Sequence, residues 1–116
     1  MYQVTFSNQS MAELNKLDIH MQMPIIEKLS SLTRSDLEQM RDDLGKFSRD
    51  GKAFYRLRSG EYRIYFELKG ENLYSHFILD QHSLADFVFR FKLPFTEETL
   101  IEQHQSFWKY LETLKK

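Results

Sequence analysis

The sequence predicts an α+β domain: an N-terminal strand, two helices, an antiparallel three-stranded meander, a short helix and a C-terminal helix. Three observations carry this. Residues 53–80 read AFYRLRSGEYRIYFELKGENLYSHFILD, three strand-like runs parted by polar turns at Ser59-Gly60 and Lys69-Gly70-Glu71-Asn72, each holding the glycine that tight hairpins favour. The residues before this block carry apolar positions at helical spacing, and those after it return to that spacing with many aromatics. Helices segregated from a meander of strands define the α+β class.

In order, residues 2–6 (YQVTF) alternate β-branched and aromatic side chains as a short strand does. Ser7 or Ser10 caps a helix whose Met11, Leu14 and Leu17 share one face. Pro24 suits the first turn of a second helix carrying Ile25, Ile26, Leu29 and Leu32. Thr33 to Asp36 and Ser35 to Glu38 both fit a capping box, and Leu37, Met40, Arg41 and Leu44 continue at helical spacing to a stop at Gly45. Residues 46–52 (KFSRDGK) read as a cationic loop. After the meander, Ser83 caps a short helix with Leu84, Phe87, Val88 and Phe91 on its buried side. Pro94 ends it. Thr96 and two glutamates open a last helix with an apolar stripe through Leu100, Ile101, His104, Phe107, Trp108 and Leu111. The length of 116 residues predicts one domain.

Composition narrows the function classes. The chain has no cysteine, hence no disulfide framework and no thiolate nucleophile. Its start does not resemble a signal peptide and no apolar run approaches a membrane span, so a cytoplasmic location is expected. A net charge of −1 excludes a uniformly basic nucleic-acid binder. Yet Lys46, Arg49, Lys52, Arg56, Arg58 and Arg63 face only Asp50 and Glu61 within one stretch. That is a local cationic patch on an acidic body, suited to a phosphate backbone at one place. The four histidines lack close ligand spacing, so neither metal nor cofactor is expected.

A two-residue loop at Ser59-Gly60 sets Arg56 opposite Arg63. Period-two alternation then gives one sheet face to Tyr55, Leu57, Tyr62, Ile64, Phe66 and Leu68. The other face takes Phe54, Arg56, Arg58, Glu61, Arg63, Tyr65 and Glu67. If Leu73, Ser75, Phe77 and Leu79 join the apolar face, then Tyr74, His76, Ile78 and Asp80 share the face of the arginines. Like charges facing each other on a sheet are mildly unfavourable unless carboxylates or an outside anion lie between them. Glu61 and Glu67 are the carboxylate answer and a bound phosphate is the other. His76 and His82, near the end of the third strand, are candidates for proton transfer near neutral pH.

Two stretches carry a family resemblance. Residues 2–18 (YQVTFSNQSMAELNKLD), with Leu14, Lys16, Leu17 and Asp18 ending the helix, resemble the start of RelE/ParE-type toxins of type II toxin–antitoxin systems. Residues 54–68 (FYRLRSGEYRIYFEL) are similar to their basic strand, glycine turn and tyrosine-arginine pair. The resemblance spans roughly residues 2–90, which makes residues 95–116 a C-terminal helical extension of a single toxin domain. It implies a concave sheet that, in RelE-like members, cleaves mRNA in the ribosome by attack of a ribose 2′-hydroxyl on the adjacent phosphate. It matches Arg56, Arg58 and Arg63 to basic positions of the family and His82 to its histidine. Joined to the reading of the sheet face and the charge patch, this makes Arg56 and Arg63 the phosphate-holding residues, His82 or His76 the acid and a carboxylate, Glu67 or Glu61, the base, with Lys46, Arg49, Lys52 and Arg58 as further RNA-binding residues. At Gln81-His82-Ser83-Leu84-Ala85-Asp86-Phe87 two arginines and a tyrosine of the usual pattern are absent. The implied function is an mRNA endoribonuclease that inhibits translation, with a cognate antitoxin, the ribosome and mRNA as partners. The alternatives are a ParE-like inhibitor of DNA gyrase without enzymatic activity, and an inactive binding module. Residues 87–95 and 107–110 either offer an apolar surface to the antitoxin or pack on each other.

Overall fold

A computed structural model of the chain describes residues 2–39, 41–49, 51–90 and 98–114. Within the described residues eleven elements follow in order: β1 (Gln3–Phe6), α1 (Asn8–Asn15), α2 (Ile19–Ser30), α3 (Arg34–Glu38), β2 (Leu44–Arg49), β3 (Lys52–Ser59), β4 (Tyr62–Lys69), β5 (Asn72–Asp80), α4 (Gln81–Arg90), α5 (Glu98–Gln103) and α6 (Gln105–Thr113). The strands form one sheet in the order β1-β5-β4-β3-β2, with β1 parallel to β5 and the rest antiparallel. The class is α+β as expected, but the topology is richer than a three-stranded meander.

The cap chemistry explains the helices. Ser7 is the N-cap of α1, its hydroxyl accepting from the Ser10 N–H, while Ser10 instead faces Ser75 across a buried hydroxyl contact of 2.9 Å. Asp18 caps α2 by accepting from the Met21 N–H. That starts the helix earlier than Pro24, which lies inside it and removes one backbone hydrogen bond at an exposed position. Thr33 and Asp36 form the capping box of α3.

Helix α3 then stops at Glu38 rather than running to Gly45. Residues 44–49 pair with β3 as a fourth antiparallel strand, Leu44 with Leu57 through Arg49 with Lys52. The supposed loop of residues 46–52 is therefore a hairpin whose turn includes Gly51 at φ +78°. Apolar spacing at 37, 40 and 44 suits a helix, but the hydrogen bonds and packing available beside β3 win. Lys28 and Arg41 pin the start of β2, lying 3.1 and 2.9 Å from the Asp43 carboxylate.

The sheet carries a core on each face. Leu14, Ile25, Leu29 and Leu37 from α1, α2 and α3, with Leu32 from the connection between α2 and α3, pack on Leu44, Tyr55, Leu57, Ile64, Phe66, Leu73 and Ile78. The opposite face holds Tyr65, Phe77 and Leu79 under Leu84, Phe87, Ile101, Phe107, Trp108 and Leu111 from α4, α5 and α6. The expected last helix is two helices, divided at His104, whose Nδ1 accepts from the Ser106 N–H as the N-cap of α6. Its expected start at Thr96, Pro94 as a stop and Phe91 as a core residue lie outside the described residues.

Candidate functional site

The arginine-bearing face is not an open surface. The β3–β4 hairpin turns at Gly60 and Glu61, with Gly60 in the left-handed region at φ +59°, so Ser59 pairs with Tyr62. This moves the register by two residues from the expected one. Faces survive a shift of two, but opposite partners change: Arg58 faces Arg63, and Arg56 faces Tyr65. Arg63 donates from Nη1 to the carbonyls of Gly60 and Tyr62, which ties its guanidinium to the turn.

Arg56 is 3 % exposed and Glu102 fully buried; Nε of the arginine lies 3.3 Å from Oε2 of the carboxylate. Tyr65, also fully buried, donates its hydroxyl to the same oxygen at 2.6 Å. Trp108 donates from Nε1 to the Glu102 carbonyl at 2.7 Å, holding α5 against α6. Across the hairpin, Gly45 pairs with Arg56. A Cβ there would stand 2.7 Å from Arg56 Nη2, so the missing side chain makes room for the guanidinium. Nothing in the sequence marked Glu102 as part of this cluster.

A second cluster lies nearer the other end of β4. Glu67 Oε1 and His76 Nε2 are 3.0 Å apart, both side chains mostly buried. Lys69 Nζ stands 3.9 Å from the same carboxylate oxygen and 5.0 Å from the centre of the Tyr74 ring. Phe54 and Tyr74 pack on the imidazole at 5.3 and 4.6 Å between ring centres.

A β-bulge makes this pair possible. Tyr65 pairs with Phe77 but Phe66 pairs with Ser75, leaving His76 as the extra residue of β5. Consequently Phe77 and Leu79 fall on the arginine face and Ile78 on the other, the reverse of simple alternation. Asp80, paired with Tyr62, follows Ile78 to that other face. Helix α1 supports the bulge. Beyond Phe6, where β1 ends, the Ser7 hydroxyl donates to the His76 carbonyl at 2.6 Å, and the Gln9 amide exchanges two hydrogen bonds with Ile78. These satisfy backbone groups that the end of β1 leaves open. A pocket of about 250 Å³ opens there, lined by Ser7, Asn8, Gln9, Tyr74 and His76.

The remaining candidates scatter. His82 is exposed at the start of α4, beyond the Arg63 end of the sheet. Four residues of strand separate Arg63 from Glu67, roughly 13 Å, with buried Tyr65 between them. Lys46 is exposed on the edge strand β2, its Nζ 5.8 Å from the Tyr55 ring centre, and Lys52 is exposed where β3 begins. Arg58 is half-buried in β3. Arg49 closes β2, its side chain outside the described residues. A cleft of about 520 Å³ runs from Lys46, Phe47 and Ser48 to Glu102, Gln103, Gln105, Trp108 and Lys109. The aromatic residues at 107 and 108, considered above as an antitoxin surface, are buried and pack with Phe87. Among the described residues no group of three or more His, Asp or Glu side chains is arranged to hold a metal ion, and no helix is long and apolar enough to cross a membrane.

No family model matches the chain, and no curated protein matches it. Among solved structures it is similar to a chain of the toxin–antitoxin complex RelBE2 from Mycobacterium tuberculosis. That match has 18% identity and a TM-score of 0.53, covering 68% of this chain and 96% of that one. It is also similar to a chain of the RelB–RelE antitoxin–toxin complex from Methanococcus jannaschii, at 20% identity and a TM-score of 0.47, covering 71% and 95%. The first likeness shows a shared fold, compatible with a RelE-like α+β architecture, and leaves about a third of this chain outside the match.

Proposed function

We propose that this chain is the toxin of a type II toxin–antitoxin pair, and that it cleaves mRNA on the ribosome. The observation that carries the chemistry is the hydrogen bond between Glu67 and His76 at the mouth of a pocket, with Lys69 beside it. A carboxylate and an imidazole in contact are a proton-transfer pair.

In the step they serve, the ribose 2′-oxygen bonds to the adjacent phosphorus and the bond from phosphorus to the 5′-oxygen breaks. Glu67 takes the 2′-hydroxyl proton, and protonated His76 gives its proton to the departing 5′-oxygen. The products are a 2′,3′-cyclic phosphate and a 5′-hydroxyl. Transfer of the proton from Glu67 to His76 across their 3.0 Å contact restores both groups. Lys69 supplies positive charge where the phosphorane gathers negative charge. The cognate antitoxin is the expected partner, and the segment from residue 95 is an extension added to the toxin domain.

Induced expression in a bacterial host is expected to arrest growth with cleaved transcripts, and Glu67→Gln or His76→Gln to abolish both. Arrest with intact transcripts would remove the nuclease reading. A second reading, a non-cleaving toxin acting on DNA gyrase or another target, is favoured by the burial of Arg56 against Glu102. It predicts lost supercoiling activity with transcripts untouched.

A further inference from the structure

We infer that Arg56 and the Tyr65 hydroxyl form a phosphodiester site which the chain's own Glu102 occupies, with α5 and α6 as a cover that single-stranded RNA displaces. The inference deepens the ribonuclease reading and rests on it for the identity of the ligand.

The first support is energetic. A buried ion pair contributes little net stability compared with apolar residues of the same volume, because both charges lose their water. Arg56 and Glu102 sit in an otherwise aromatic and aliphatic layer, where such residues would serve the fold as well. The second is geometric. Among the described residues, Nε and Nη1 of Arg56 make no hydrogen bond, although both are buried. The Glu102 carboxylate approaches Nε of this guanidinium to 3.3 Å without forming a hydrogen bond to Nε or Nη1. A phosphate with oxygens on several sides matches that fork better. The Tyr65 hydroxyl, now 2.6 Å from Glu102, would donate to the same anion.

Position supplies the third support. Arg56 and Tyr65 are paired neighbours, and two residues of strand separate Tyr65 from Glu67, about 7 Å. Phe54 stands between the clusters, its ring 5.3 Å from His76 and 5.5 Å from Trp108. Lifting α6 therefore joins the cation at Arg56 to the proton-transfer pair on one continuous face. The way in already exists as the cleft that reaches Glu102 and Trp108 between Lys46 and Lys109, two cations that draw in a polyanion. Helices of six and nine residues are too short to be stable alone and depend on the packing beneath them, so the cover opens as a local unit.

Trp108 is the only tryptophan and is buried in this layer, so its emission reports the cover in the intact chain. Titration with a short 2′-O-methyl RNA oligonucleotide, which lacks the attacking hydroxyl, is expected to red-shift that emission. Glu102→Gln should lower the RNA concentration needed by roughly tenfold or more, because apparent affinity scales with the open fraction. Arg56→Gln should abolish the shift while circular dichroism verifies its fold. Hydrogen exchange on the wild-type chain tests the same point without a variant: RNA should speed exchange in residues 98–113 and leave β4 and β5 protected. No shift and no faster exchange at saturating RNA would overturn the inference, as would an undiminished shift in a folded Arg56→Gln. A full shift with inorganic phosphate alone at the same concentration would overturn the RNA assignment. Displacement of the cover without any transcript cleavage would remove the nuclease reading and leave the covered site standing.

Discussion

Gly45 lacks a side chain at the point where Arg56 needs the space. Because Arg56 is enclosed, Gly45→Ala cannot be absorbed by a swing of the arginine into solvent. It is expected to cost about 1–3 kcal/mol, the usual range for overpacking, and to red-shift Trp108 emission, since the displaced guanidinium pulls away from Glu102. Urea titration gives the first quantity and fluorescence the second; a neutral substitution on both would contradict the packing described. At Asp36 the Thr33 backbone N–H and hydroxyl hold the carboxyl below its ordinary 3.8, with Arg41 adding to the effect. A depressed value stabilises the fold above the ordinary value, and that contribution is lost as pH falls through the folded value. Asp36→Asn should therefore be less stable than wild type at neutral pH by about 0.3–1 kcal/mol, the range for a charge in the first turn of a helix at an exposed site. The gap should narrow as the medium is acidified below 3.8. An unchanged gap across that window would mean that the carboxylate charge plays no part in the cap.

At the scale of elements, what could be read from the sequence depended on whether the signal was local. The strand at residues 3–6, the Ser7 and Thr33 caps and the three strands between residues 52 and 80 all follow from side chains acting on their own neighbourhood. β2 did not, because spacing at 37, 40 and 44 matched a helix, although Asp50-Gly51 is itself a hairpin signal. The β-bulge at His76 has no local signature: it is held by Ser7 and Gln9, more than sixty residues away. Glu67 and His76 were recognised as candidates, but their contact depends on that bulge. Gly60 was recognised as a turn residue while its place within the turn was missed by one position. Gly60→Ala should cost about 1–2 kcal/mol, the strain of a side chain in the left-handed region. Thermal melts of both proteins check this, and an equal midpoint would contradict the turn as described.

For the molecule as a whole, the sheet is sandwiched between two cores of different character. The layer of α1, α2 and α3 is mostly aliphatic, with Leu29, Leu57 and Ile64 fully enclosed beside the stacked rings of Tyr55 and Phe66. The layer of α4, α5 and α6 is aromatic and is threaded by Arg56, Tyr65 and Glu102. Alternation along the strands predicts one apolar face and one arginine-bearing face, and nothing local in the sequence shows that α4, α5 and α6 cover the second or that Glu102 meets Arg56 there. The cores should therefore differ in how they fail. Leu29→Ala removes about 2–5 kcal/mol from global stability, whereas the loss in Phe107→Ala should show chiefly as faster hydrogen exchange in residues 98–113. Uniform acceleration over the whole chain in Phe107→Ala would contradict a separable cover. The functional reading turns on whether the uncovered face cuts RNA. Ribosomes programmed with a defined messenger, incubated with the purified chain and analysed by primer extension, provide that measurement. New 5′-hydroxyl ends within the coding sequence are predicted for the wild type and none for His76→Gln; an intact messenger with the folded wild-type protein would contradict it.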